Sequence, residues 1–298
     1  MQYFWTNTIW YIVLGVITLG EVLYVLIKGK DRKTLFALFL TFAGMAYFIE
    51  ILILLVFKGY DYYPKIFDHI NKIDDSIIGN TFSQFSIAAT ALLISFLKLK
   101  KYWYAVIALA YGGIEELFLY LGIYRHYWYS TWMTLVGFTI LLWIMNKIYQ
   151  KTFRNPGRVF QYFLTLPAVY TAYIHPFMWP FRLSGYPAFN FEIFPDYAIS
   201  VAFYNIVQFA IVFNAVFIAI HNKFKWYFHA LVILGLYLLY FAANWLGFIV
   251  YDDAGMVLLY ATAAIAGMYI SVLLVRKLYG FHKGEHPPQK AGDPKPMY

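Results

Sequence analysis

Four glutamates, Glu21, Glu50, Glu115 and Glu116, stand inside long apolar stretches of the chain. A carboxylate at mid-membrane costs about 2.5–3.5 kcal/mol to insert, so it usually faces a bundle interior or a wet cavity and by default marks a site. The chemistry open to such a group is uptake of a proton, binding of a cation, or a bond to a neighbouring helix. Adjacent helical residues point about 100° apart. One of Glu115 and Glu116 is therefore expected to face a cavity, and the other to bond a neighbouring helix. Glu21 lies about two turns from the end of its run and is read as reaching the interface. His175 is the candidate partner of Glu50, Glu115 or Glu116, because histidine changes charge near neutral pH. A ring hydrogen-bonded near the outer interface is the equal alternative. Pro167 is the helix-break candidate: proline frees a backbone carbonyl, and interrupted spans point to transporter sites. Ala43-Gly44 is its weaker counterpart at the same depth. A kink that neighbours re-satisfy is the equal reading.

Other polar groups carry less. Asn80, Gln84, Asn205, Gln208, Asn214 and Asn244 line a polar path or join helices, and joining is the commoner role. Asp74-Asp75 and Asp252-Asp253 are acid pairs of the kind hard cations use. A solvated loop is the favoured reading, and no metal site is expected. The chain has no cysteine, which excludes disulfides, thiolate nucleophiles and cysteine metal ligands. It has no phosphate loop, dinucleotide fingerprint, His-Glu-x-x-His or Gly-x-Ser-x-Gly. No cofactor is expected, no specific reaction is legible, and scattered basic residues without a recognition module argue against a nucleic-acid partner.

The elements that must hold these groups are membrane helices. Of 298 residues, 62% are hydrophobic and 13% charged, about half the charge of a soluble domain. A span needs about 20 apolar residues, which predicts nine helices near 9–27, 34–57, 77–97, 102–123, 129–149, 158–178, 197–220, 226–250 and 254–275. Backbone groups in lipid must be satisfied internally, so these runs are helices and the fold class is all-α. The first helix reads as a retained span, since no basic n-region or cleavage site precedes it. Most of the 23 basic residues fall in alternate loops and the C-terminal tail. The positive-inside rule then puts the N-terminus outside and the C-terminus in the cytoplasm of a multi-pass cell-membrane protein, with lipids as partners.

The two halves align at an offset of 124: Phe36 with Phe160, Leu40 with Leu164, Thr41 with Thr165, Lys58 with Arg182, Gln84 with Gln208 and Ala91 with Ala215. This predicts one N-terminal helix with its loop (1–33), two parallel four-helix repeats (34–157 and 158–278) and a flexible cytoplasmic tail (279–298). The repeat sets Glu50 against Ile174, next to His175, and Glu115-Glu116 against Leu239-Tyr240. An acidic site would thus belong mainly to the first repeat.

Lys101-Tyr-Trp-Tyr, Gly113-Ile-Glu115 and Leu121-Gly-Ile-Tyr124-Arg-His126-Tyr-Trp128-Tyr-Ser130-Thr-Trp132 resemble a group of uncharacterised multi-pass membrane proteins of spore-forming bacteria. Those proteins share an intramembrane glutamate, a Leu-Gly segment and an aromatic-His-Trp cluster. The match covers helices 4 and 5. The second repeat departs from it, with Asn244-Trp-Leu-Gly-Phe and Tyr251-Asp252 where the cluster would continue. The resemblance implies a bacterial membrane location and no activity.

The expected function is a carrier or ligand-binding membrane protein that takes an unknown small molecule or ion at an intramembrane acidic site. One alternative is an embedded enzyme acting on a lipid or isoprenoid-like substrate, with Glu115 or Glu116 as general acid and His126 assisting. Another is a structural partner in a membrane complex, with the acids joining helices. No oligomeric state follows from the sequence.

Overall fold

The computed structural model describes residues 3–67, 70, 72–154, 156–185, 188–190, 193–251 and 253–281. The expected tail, apart from its first three residues, lies outside the described residues, as do Asp68, Asp252 and Glu192. The fold is an all-α bundle. A π-type turn at Phe4–Thr8 leads into α1 (Ile9–Lys28), followed by α2 (Arg32–Ile51), α3 (Lys72–Phe96), α4 (Tyr102–Tyr120) and α5 (Thr131–Thr152). Then come α6 (Arg158–Tyr173), the short α7 (Trp179–Leu183), α8 (Tyr197–His221), α9 (Trp226–Trp245) and α10 (Ala254–Tyr279).

Among the described residues, seven helices are long and apolar enough to cross a membrane, so the chain is a membrane-spanning helical protein. The two remaining expected spans fall short alone. α6 has 16 residues, and α4 has 19 but carries Glu115, Glu116 and several tyrosines. Val16, Leu109, Leu231 and Leu238 are well-exposed apolar side chains, of the kind lipid covers.

α2 and α6 form the central pair, and they run parallel. The Thr41 hydroxyl lies 3.0 Å from the Leu164 carbonyl, Gly44 faces Pro167, and the Tyr47 ring lies 4.6 Å from that of Tyr170. Residue numbers rise together on both sides, which only parallel helices allow. Around this pair, α3 packs on α2, α1 and α5, and α5 packs on α4. On the other side α10 packs on α6, α8 and α9.

The two halves share most of their order of elements, but among the described residues α7 has no counterpart in the first half. α2 ends in a π-type turn at Leu52–Val56 and α6 in one at Ile174–Met178. A short strand comes next, β1 (Tyr60–Tyr62) directly and β3 (Ala188–Phe189) after α7. Each strand pairs antiparallel with one from the far end of its half, β2 (Tyr124–His126) or β4 (Ile249–Val250). The turns match bond for bond. Leu121, Gly122 and Ile123 donate backward to Leu117, Leu119 and Phe118, as Leu246, Gly247 and Phe248 do to Ala242, Asn244 and Ala243. Lys98 and Lys223 both adopt positive φ, 53° and 51°. The packing differs, since α2 lies on α3 whereas α6 lies on α10.

Two expectations about local structure need correction. Pro167 does not break its helix: α6 continues through it, and the irregularity falls at Ile174–Met178, which contains Pro176. Nor does Ala43-Gly44 interrupt α2. Asp74 and Asp75 are not in a solvated loop. α3 begins at Lys72, so both stand buried in its first turn, where the helix dipole favours acids.

At the start of α2, Asp31 caps the helix by accepting from the Thr34 N–H at 3.1 Å. Asp31→Ala is expected to lower stability by about 1 kcal/mol, read as a lower unfolding midpoint in detergent. An unchanged midpoint would show that the cap contributes nothing.

Candidate functional site

The first half holds a cavity of about 180 Å³ bounded by α1 to α5 and the β1–β2 ribbon. Glu50, from the last turn of α2, and Glu115, from α4, both line it. The Tyr60 hydroxyl donates to Glu50 Oε2, and His126 Nε2 lies 2.5 Å from Glu115 Oε1. The ribbon supplies both partners. Its register sets Tyr60 opposite His126 and Tyr62 opposite Tyr124. Side chains alternate faces along a strand, so a slip of one residue would turn the whole set away. Register therefore fixes which groups reach the carboxylates.

The walls are aromatic. Tyr60 lies 5.3 Å from Tyr124 and 5.0 Å from Tyr129, and Tyr62 lies 4.7 Å from Tyr124, ring centre to ring centre. Tyr11 closes one side and donates to the Ile123 carbonyl at 2.7 Å. Ser83 and Thr134 add hydroxyls. Outside the spans, exposed Tyr127 donates to Asp61 Oδ2 at 2.7 Å. That bond first, and burial second, push its phenol above the ordinary range.

The other sequence candidates fall elsewhere. Glu116 is exposed on α4 and accepts from the Thr131 hydroxyl at 2.5 Å, a bond to the start of α5. His175 is not at the cavity. Its Nδ1 is 3.0 Å from the Thr171 carbonyl, and its ring packs on Phe85 and Trp179. His126, expected only to assist, is the histidine that meets a carboxylate. Glu21 does not simply reach the interface, because the Thr90 hydroxyl bonds it at 2.9 Å. Thr90 in turn lies 2.8 Å from the hydroxyl of Tyr111, which lines the cavity. A polar chain thus runs from the cavity along α1, α3 and α4. Three of the six amides join elements: Gln208 donates to Tyr240 at 2.7 Å, Asn214 accepts from Tyr162 at 3.0 Å, and Asn244 accepts from the Tyr251 N–H at 3.2 Å.

A second cavity of about 320 Å³ lies at the seam between the halves, lined by Tyr47, Asp74, Tyr170, Arg182, Gln208 and Tyr260 among others. Its charged groups pair with one another, Arg182 Nε lying 2.5 Å from Asp74 Oδ1. Asp75 pairs with Lys65 at 3.1 Å. The larger cavity therefore holds an internally balanced ion pair, whereas the smaller gathers two carboxyl groups, Glu50 bonded by Tyr60 and Glu115 by His126. Among the described residues no three His, Asp or Glu side chains are grouped to hold a metal.

The tyrosines and the ribbon were the missed part of the acidic site. Their signal was a period of two in Tyr60-Asp-Tyr62 and Tyr124-Arg-His126, short enough to be hidden among the aromatics that flank every span. Comparison with protein families, curated proteins and solved structures gives no match.

Proposed function

We propose that the chain is a carrier or ligand-binding protein of a bacterial cell membrane, with Glu50 and Glu115 at its binding site. The observation that carries this reading is the convergence of both carboxylates on one hydroxyl-rich cavity. Two costly acids placed together serve a ligand better than they serve packing. The recurring π-type turns and strand pairs support a duplicated architecture of the kind carriers use. The basic loops support an outside N-terminus and a cytoplasmic C-terminus, which would put the cavity and both ribbons near the outer face.

The test is uptake by vesicles containing the purified protein, screened over a solute panel. Glu115→Gln is expected to remove uptake of the transported solute, whereas Glu116→Gln, on the outward face, retains it. A panel with no solute whose uptake depends on Glu115 would sink the proposal.

The 2.5 Å contact of His126 with Glu115 favours a second reading, a general acid–base pair acting on a lipid. Unchanged lipid profiles in a strain lacking the gene would count against it.

A further inference from the structure

This inference rests on reading the acidic cavity as a ligand site, and it names the ligand's chemistry. We infer that the cavity takes a small organic ammonium ion of about six to eight non-hydrogen atoms, a size set by comparison with an apolar cavity of about 150 Å³ that accommodates benzene.

Sign comes first. Glu50 and Glu115 line the cavity, and no lysine or arginine does. His126 contacts Glu115 from β2. Ionised together, the carboxylates supply two negative charges beside a neutral imidazole and a net of one beside a protonated one. Both of those states complement a cation, and no lining lysine or arginine offers an anion a partner.

The walls then select among cations. Six phenol rings, those of Tyr11, Tyr60, Tyr62, Tyr111, Tyr124 and Tyr129, line the space. Ring faces attract ammonium groups, best when both are out of water. A bare metal ion needs several oxygen ligands instead, and among the described residues no three His, Asp or Glu side chains gather. The volume, about 180 Å³, is too large for a bare ion and suits a molecule slightly larger than benzene. Carboxyl groups and aromatic rings together are the two surfaces that an alkylated nitrogen needs.

Choline and 3,3-dimethylbutan-1-ol have the same shape and differ in charge, so they separate the claim about charge from the claim about space. Calorimetric titration of the unaltered protein in detergent is expected to show choline binding at least about ten-fold more tightly than the alcohol. Glu50→Gln and Glu115→Gln should each weaken choline about ten-fold, and Glu116→Gln should leave it unchanged. The two-probe comparison needs no variant, so misfolding of a variant does not blunt it. Equal binding of both probes overturns the inference while leaving a ligand site in place. Binding of sodium or potassium with no binding of choline also overturns it. If no probe binds, the inference falls. The carrier reading falls with it only when the vesicle panel also yields no Glu115-dependent uptake.

Discussion

Gly44→Leu is expected to force α2 and α6 apart and to destabilise the protein by about 3 kcal/mol or more, at the upper end of overpacking costs. A Cβ added at Gly44 would stand 2.6 Å from the Pro167 carbonyl carbon, closer than side-chain carbons approach backbone. Pro167 cannot easily yield, because its ring is buried in α6 and its carbonyl accepts from the Thr171 hydroxyl at 3.2 Å. Thr171 also bonds the Leu40 carbonyl of α2 at 3.0 Å, so a shift here breaks a cross-helix bond as well. Helices in lipid associate through close packing, with small residues at the contact. Gly20→Leu is the control, since nothing lies within 4 Å of a Cβ there, and it should move the midpoint little. The measurement is the unfolding midpoint in mixed micelles, with the elution profile as a check on assembly. If Gly44→Leu and Gly20→Leu behaved alike, the α2–α6 seam would not be the centre of the bundle.

Arg182→Ala is expected to cost about 2 kcal/mol, below the range for a fully buried pair because the guanidinium is partly wet. The Asp74 side chain is 11% exposed and that of Arg182 34%, so the cost falls mainly on the carboxylate left behind. The pair ties α7 of the second half to the first turn of α3 in the first. In a double-mutant cycle with Asp74→Asn, the coupling should exceed about 1 kcal/mol. Additive effects would mean that the two side chains do not act as a pair. Lys58 makes a second bridge of this kind to Asp196, also from one half to the other. It is more exposed, and its loss should matter less.

Length and hydropathy made the helices legible, since the expected spans and the observed helices agree within a few residues at most ends. α3 is the instructive exception. Asp74 and Asp75 read as loop because their partners do not show locally: Arg182 lies far along the chain, and Lys65 sits in a different segment. The site was legible in part for a similar reason. The divergence of Glu115 and Glu116 follows from helix geometry alone. Which of the two turns inward depends on His126, and His126 is placed by pairing with residues 60–62, a contact between distant segments. Tyr11, Tyr60, Tyr62 and Tyr124 are buried around the cavity. Composition does not distinguish a ring in the headgroup layer from a ring lining a pocket. Pro167 was read for the bond it cannot make. Its carbonyl proved more telling, because a glycine on α2 packs against it.

The β1–β2 ribbon also has a consequence for biosynthesis. Residues 60–62 leave the ribosome well before residues 124–126, an interval of roughly 3 to 13 seconds at about 5–20 residues per second. During that time Glu50 and Tyr60 have no opposing strand, and the pocket has no far wall. The acidic site closes only after α3 and α4 have been threaded and the chain has returned to the same side. A nascent chain arrested before His126 would hold an unfinished site, and its Glu50 would be open to whatever quality control surveys half-inserted proteins.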